Sequence, residues 1–126
     1  PAEHYRACSI DDNYASPAVS LCTDVNGILQ IDGLALNQWM DYKINILSGV
    51  KDFQIRYTAT RDSEITIYRV DENGNETALQ TIALPSTASK TAWTTLTESF
   101  TPEAGEQVLR LKCTKGLPRI NWFKLK

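Results

Sequence analysis

A single histidine, His4, is present among 126 residues, and it lies beside Glu3 and Tyr5 near the start of the chain. In that setting it reads as a surface residue rather than a general base. The chain offers 15 Asp and Glu residues for carboxylate chemistry. Yet Asp11, Asp12, Asp62, Asp71, Glu72 and Glu103 fall at turns or strand ends, where solvation alone explains them. Ser and Thr are plentiful, but an activated hydroxyl nucleophile needs a partnering base. Cys8, Cys22 and Cys113 show no CxxC spacing, which argues against a zinc site and against a dense disulfide framework. Cys8 and Cys22 suit either a bridge in an oxidising compartment or two small buried residues. Cys113 reads as buried. The residue types therefore favour a non-catalytic chain.

The elements that would position any site are short strands. Trp39-Met40-Asp41-Tyr42-Lys43-Ile44-Asn45-Ile46 alternates, with Met40, Tyr42, Ile44 and Ile46 as the core set. Trp39 then shares the polar face with Asp41, Lys43 and Asn45. Residues 52–59, 64–70 and 78–84 alternate in the same way, and Asp71-Glu72-Asn73-Gly74-Asn75 is a strong hairpin signal. The last third reads as three strands, 93–100, 107–113 and 119–125, with Val108 and Ile120 on buried faces and Trp93 and Trp122 in the core. Residues 2–8, 18–22 and 28–31 supply shorter pieces. Apolar residues hold a helical period nowhere over three turns. The expected fold is all-β, a two-sheet antiparallel sandwich forming one domain over residues 1–126.

Bulk numbers narrow the function classes. A chain of this length buries roughly two-thirds of its unfolded surface and needs no metal to own a core. The balance of 13 Lys and Arg against 15 acids argues against broad nucleic-acid binding. No apolar run approaches the length of a membrane span. A start at Pro1, without Met, reads as a mature form or an excised domain.

Four stretches in order resemble the family 6 carbohydrate-binding modules, over essentially the whole chain. They are Ala2-Glu3-His4-Tyr5, Asn37-Gln38-Trp39-Met40-Asp41-Tyr42, the pair Ala92-Trp93-Thr94-Thr95-Leu96 and Ala104 to Leu111, and Ile120-Asn121-Trp122-Phe123. The resemblance implies a jelly-roll sandwich without catalysis, in an extracytoplasmic setting. It also implies a polysaccharide or oligosaccharide ligand and a covalently attached glycoside hydrolase or other polysaccharide-active enzyme. The alternative is a structural or protein-interaction sandwich that has lost its sugar site. A small enzyme using carboxylates, or Lys90, Arg119 and Tyr14 together, is the third reading.

The resemblance also implies two sugar sites. In the first, at the loop end, a sugar ring is clasped by two aromatics with help from an Asn. Here Lys90 stands at the position of the loop Trp and Arg119 at that of the Asn, and residues 26–38 hold no aromatic. Either Lys90 and Arg119 turn this pocket toward uronates or sulfated sugars, because Arg pairs bidentately with carboxylate and sulfate, or the pocket binds nothing and both cations are solvated on loops. Asn121, Tyr14 and Gln30 complete the candidate carbohydrate contacts. The second site lies on a concave sheet face, where Trp39 matches the family's platform residue. A structural calcium held by acids near both termini belongs to the same resemblance. Glu3 matches one ligand, whereas Pro1 and Lys124 occupy other positions of that set, and calcium favours several oxygen ligands. Lys124 is expected to pair with Glu3 instead.

Overall fold

The computed structural model describes residues 33–126 in full and, before them, the backbone of Ala7–Cys8, Val19–Leu21 and Leu29–Ile31. Glu3, His4, Tyr14, the Cys8–Cys22 pair and the side chain of Gln30 lie outside the described residues. Ten strands are described: β1 (Ala7–Cys8), β2 (Val19–Leu21), β3 (Leu29–Ile31), β4 (Trp39–Ile46), β5 (Asp52–Thr58), β6 (Ser63–Val70), β7 (Glu76–Leu84), β8 (Thr94–Ser99), β9 (Gly105–Lys115) and β10 (Arg119–Leu125). They form two five-stranded sheets in the orders β1-β4-β9-β6-β7 and β2-β3-β10-β5-β8. Every pairing is antiparallel. The fold is an antiparallel β-sandwich.

Period-two alternation explains which faces meet. Met40, Tyr42 and Ile46 of β4, Phe53, Ile55 and Tyr57 of β5, Ile65 and Ile67 of β6, and Leu109, Leu111 and Cys113 of β9 are all buried between the sheets. Burying such a side chain contributes about 1.5–3 kcal/mol relative to leaving it exposed. Tyr42, Phe53 and Phe123 add an aromatic seam, with ring centroids 4.7 Å and 5.8 Å apart for the pairs with Phe123. The Asp71–Asn75 hairpin forms as expected, and Asp71 accepts the amides of Asn73 and Asn75 at 2.9 Å.

Three of the expected core assignments are overturned. Val108 shares the outer face of β9 with Arg110 and Lys112, because Leu109, Leu111 and Cys113 take the inner one. Trp122 is half-buried and outside the core. The cause is a register shift in β10: Ile120 faces Tyr57, but Trp122 faces Arg56, the very next residue of β5. A bulge adds one residue to its strand and so reverses the alternation beyond it. Phe123 then packs against the core and Trp122 faces outward. Trp93, just before β8, is likewise half-buried and not part of the core cluster.

Candidate functional site

Trp39 opens β4 after a tight bend. Asn37 adopts a positive φ of 68°, a region that Asn tolerates better than most residues. Gln38 is buried and its Oε1 accepts the Ala35 amide at 2.9 Å, while its carbonyl accepts the Cys113 amide at 3.0 Å. The bend thereby fixes where β4 starts. Trp39 then faces Lys112 across the sheet, and Asp41 faces Arg110, which faces Tyr68. Alternation puts these side chains together on the outer face of the first sheet.

Arg110 is the centre of the cluster. Its Nε and Nη2 donate to Asp41 Oδ1 and Oδ2 at 2.7 and 3.0 Å, and Nη1 lies 3.3 Å from Glu76 Oε2. Its Cζ sits 3.6 Å above the centroid of the Trp39 ring, a cation–π contact. The Arg110 and Asp41 side chains are only 11% and 10% exposed, so their fork is largely desolvated. The Asp41 hydrogen bond, outweighing burial, raises the Arg110 pKa above its ordinary value. Lys112 Nζ lies 2.8 Å from Glu76 Oε2 and 5.0 Å from the Tyr68 ring centroid. Burial acts to raise the Glu76 pKa, but bonds and charge from Lys112 and Arg110 prevail and hold it below the usual carboxylate range. A row of hydroxyls continues the face: Thr66 Oγ1 is 3.1 Å from those of Thr81 and Thr114, and Thr114 donates to Glu64 at 2.6 Å.

Beside this cluster runs a groove of about 570 Å³ that includes Arg110 and Asp41 in its lining. Val70 and Val108, paired across β6 and β9, supply apolar surface; Lys43 and Glu106 and the Asp71–Gly74 turn supply polar walls. Lys43 and Glu106 are themselves paired at 2.9 Å. Such a surface combines apolar patches with fixed donors and acceptors, which is what an amphipathic sugar requires.

The loop-end residues are arranged differently. Lys90 is exposed on the 85–93 loop. That loop is tied to the end of β5 by Thr87, whose amide donates to the Ala59 carbonyl at 2.7 Å and whose Oγ1 accepts the Ala59 amide at 3.1 Å. Arg119 is half-buried and faces Thr58. Both cations thus come to the same end of the second sheet. Gly116 shapes the turn before Arg119 with φ of 76°. A Cβ there would lie 2.8 Å from the Asp62 carbonyl and from Ser63 Cα. Thr58 is fully buried and its Oγ1 has no hydrogen-bond partner among the described residues, which costs about 1–3 kcal/mol. Asn121 occupies the β10 bulge at 6% exposure. Gln30 is placed only through its backbone, on β3 beside β10.

Among the candidates from sequence, Trp39 therefore sits in an organised cluster, Lys90 and Arg119 share one end, and Asn121 is buried. The sequence reading missed Arg110, Lys112, Glu76 and Tyr68. The alternation of β9 signals that Arg110 and Lys112 face outward. Nothing in the sequence signals the register that sets them against Trp39 and Tyr68. Of the calcium set, Lys124 is described, and its Nζ lies 4.8 Å from the Trp122 ring centroid. An ammonium cannot ligate a cation, so this part of the set does not fit the ion.

The fold is a two-sheet antiparallel sandwich with an ordered aromatic and charged cluster on the outer face of one sheet. The chain matches the family described as "Carbohydrate binding module (family 6)" over residues 2–126, and it belongs to that family of non-catalytic binding modules. Solved structures agree on the fold. A module of Cellvibrio mixtus lichenase 5A, in complex with cellotriose, superposes with a TM-score of 0.82 at 23% identity, covering 99% of this chain and 92% of that one. A β-1,3-glucan-binding module from Bacillus halodurans gives 0.83 at 20% identity, covering 99% and 92%. An arabinoxylan arabinofuranohydrolase from Bacillus subtilis gives 0.72 at 14% identity, covering 88% of this chain but only 24% of the enzyme. No curated protein matches the chain in sequence.

Proposed function

We propose that this module binds a neutral polysaccharide along the outer face of the first sheet and holds an attached extracytoplasmic glycoside hydrolase, or another polysaccharide-active enzyme, near its substrate. The observation that carries this reading is the Trp39–Arg110 stack, locked by Asp41 and Glu76 and continuous with the groove. Because the guanidinium covers one face of the indole, a sugar would meet a composite of indole and guanidinium rather than a bare ring. Lys112 and Glu76 would bond its hydroxyls. The groove favours neutral sugars over anionic ones: Asp41 and Glu106 are balanced by Arg110 and Lys43, while Asp71 and Glu72 add negative charge. This reading requires no calcium. Lys112→Ala should weaken binding of neutral β-glucan oligosaccharides at least tenfold in calorimetry, and amide shifts on ligand addition should cluster on β4 and β9. Shifts confined to other strands, or unchanged binding in Lys112→Ala, would sink the assignment. Absence of any hit on a broad glycan array would instead favour a sandwich that has lost its sugar site.

Lys90 and Arg119 support a second reading, an acidic or sulfated sugar at the loop end, with Asn121, Gln30 and Tyr14 as candidate neighbours. The observation in its favour is that both cations come to the same end of the second sheet.

A further inference from the structure

Val70 and Val108 form an apolar pair on a face that is otherwise aromatic, charged or hydroxylic. They face each other across β6 and β9, both half-buried, and Val108 also faces Lys43 on β4. Alternation turns them outward with Tyr68, Arg110 and Lys43, away from Ile67, Leu109 and Leu111 of the core. Their row lies about 7 Å along β9 from the Asp41–Arg110 row, within the lining of the groove of about 570 Å³. The polar groups around this floor are largely engaged within the protein. Lys43 holds Glu106 at 2.9 Å, and Arg110 holds Asp41 at 2.7 Å. Asp71 Oδ1 accepts the amides of Asn73 and Asn75, and Oδ2 accepts Asn75 Nδ2 at 3.2 Å. Gln107 Nε2 donates to the Glu103 carbonyl at 2.7 Å. Among the described charged residues of the lining, that leaves Glu72, exposed on the turn. The turn is itself fixed, since the Gly74 amide donates to the Asp71 carbonyl and the Asp71 amide to that of Asn75.

We propose that the Val70–Val108 row is a subsite for an exocyclic methyl group of the bound sugar, so that the groove prefers a polysaccharide bearing 6-deoxy sugars or O-acetyl groups to the same chain without them. The inference rests on the neutral-polysaccharide reading above and names the substituent that the groove selects. A hydroxyl set against two valines loses its water and gains no partner, which is unfavourable. A methyl group in the same place moves apolar surface out of water, a gain of about fourfold in affinity per buried carbon. The walls sharpen the contrast, because donors and acceptors already held by Lys43, Glu106, Asp41, Arg110 and the turn are not free to take a hydroxyl. An uncharged substituent also suits a lining whose Asp71 and Glu72 disfavour anions.

The test uses the folded module, a β-glucan and two matched pairs of probes, read by calorimetry and affinity electrophoresis. One pair is O-acetylated xylan and the same xylan after alkaline deacetylation. The other is a fucosylated oligosaccharide and its counterpart carrying L-galactose, which differs by a hydroxyl on the same carbon. The parent should bind the methyl-bearing member of at least one pair about fourfold tighter than its partner. In the Val70→Thr, Val108→Thr double variant, which keeps the β-branched shape but sets hydroxyls on the floor, that ratio should fall to about one. Binding of the methyl-free member should change less than about twofold, and the melting temperature should stay within a few degrees, as for surface positions. Val108→Thr alone should lower the ratio part of the way, which keeps the comparison if the paired change disturbs folding. Preference in the xylan pair alone assigns the subsite to acetyl groups, and in the fucose pair alone to deoxy sugars. Equal affinity within both pairs in the parent would overturn the subsite and leave the groove reading standing. A preference kept in the double variant would place the methyl contact elsewhere and overturn it as well. Failure of all four probes in a module that binds β-glucan would overturn the subsite alone, whereas failure of β-glucan too would overturn the groove reading with it.

Discussion

The two outer faces of the sandwich use the same residue types in opposite ways. On the first sheet, the cations are spent within the protein: Arg110 on Asp41, Glu76 and Trp39, Lys112 on Glu76 and Tyr68, Lys43 on Glu106. On the second, Lys124 lies over Trp122 and Arg56 donates to a neutral hydroxyl. The first face is a rigid, nearly neutral surface with fixed hydrogen-bond geometry. The second sets a Lys against a Trp and lines its β5–β8 edge with hydrogen bonds from Arg56 and Gln54 to threonine hydroxyls. The contrast teaches that a Trp beside an Arg is not one kind of site. Where the guanidinium is locked by carboxylates over the indole, as in Arg110 and Trp39, it becomes part of the floor; Trp122 is instead approached by a lysine ammonium.

Single substitutions test that contrast. Arg110→Ala is expected to be the most damaging, because it strands Asp41 with an uncompensated, largely buried charge. Breaking such a pair costs about 3–5 kcal/mol, and chemical denaturation should show a loss near the lower end of that range. Arg56→Ala on the other face, where the half-buried side chain donates to Thr95 Oγ1, should cost about 1 kcal/mol. Equal losses in the two variants would erase the distinction between the desolvated Asp41–Arg110 fork and a hydrogen bond to a neutral hydroxyl.

The next effect has the opposite sign. Thr58→Val replaces the orphan hydroxyl under the Arg119 row by a methyl of similar shape. It should raise stability by about 1 kcal/mol, within the range set by an unmade hydrogen bond. A destabilised variant would mean that the Thr58 hydroxyl is bonded in solution.

The smallest effect concerns pH. The folded-state pKa of Glu76 is depressed, so its contribution to stability is present above the unfolded-state carboxylate value and is lost as pH falls through the folded one. Melting temperature followed from neutral to strongly acidic pH should fall across the acidic range. The Glu76→Gln variant should show a shallower fall than the parent. The Lys43–Glu106 pair, exposed to solvent, should add little to the slope at moderate salt. An identical slope in parent and Glu76→Gln would remove Glu76 from the locked network.

Much of the architecture was legible in the sequence because alternation is a local signal. The strands 39–46, 52–58 and 119–125 and the 71–75 hairpin fall where period and turn chemistry put them. The same logic placed Trp39 outward with Asp41. It failed at Trp122, since a bulge is invisible to a period-two count and reverses the side of every residue after it. It failed at Val108 because a short apolar residue fits either face, and only its neighbours Leu109, Leu111 and Cys113 decide.

The sequence by itself determined the class of fold, the outward face of Trp39 and the presence of Lys90 and Arg119 at the loop end, because each follows from neighbours along the chain or from motifs in order. The tertiary structure alone decided which residues meet. Asp41 and Arg110 are 69 positions apart, and Lys112 and Glu76 are 36 apart. Strand register brings them together, and register is set by the packing of whole faces against the core. The locked character of the first face comes from that pairing.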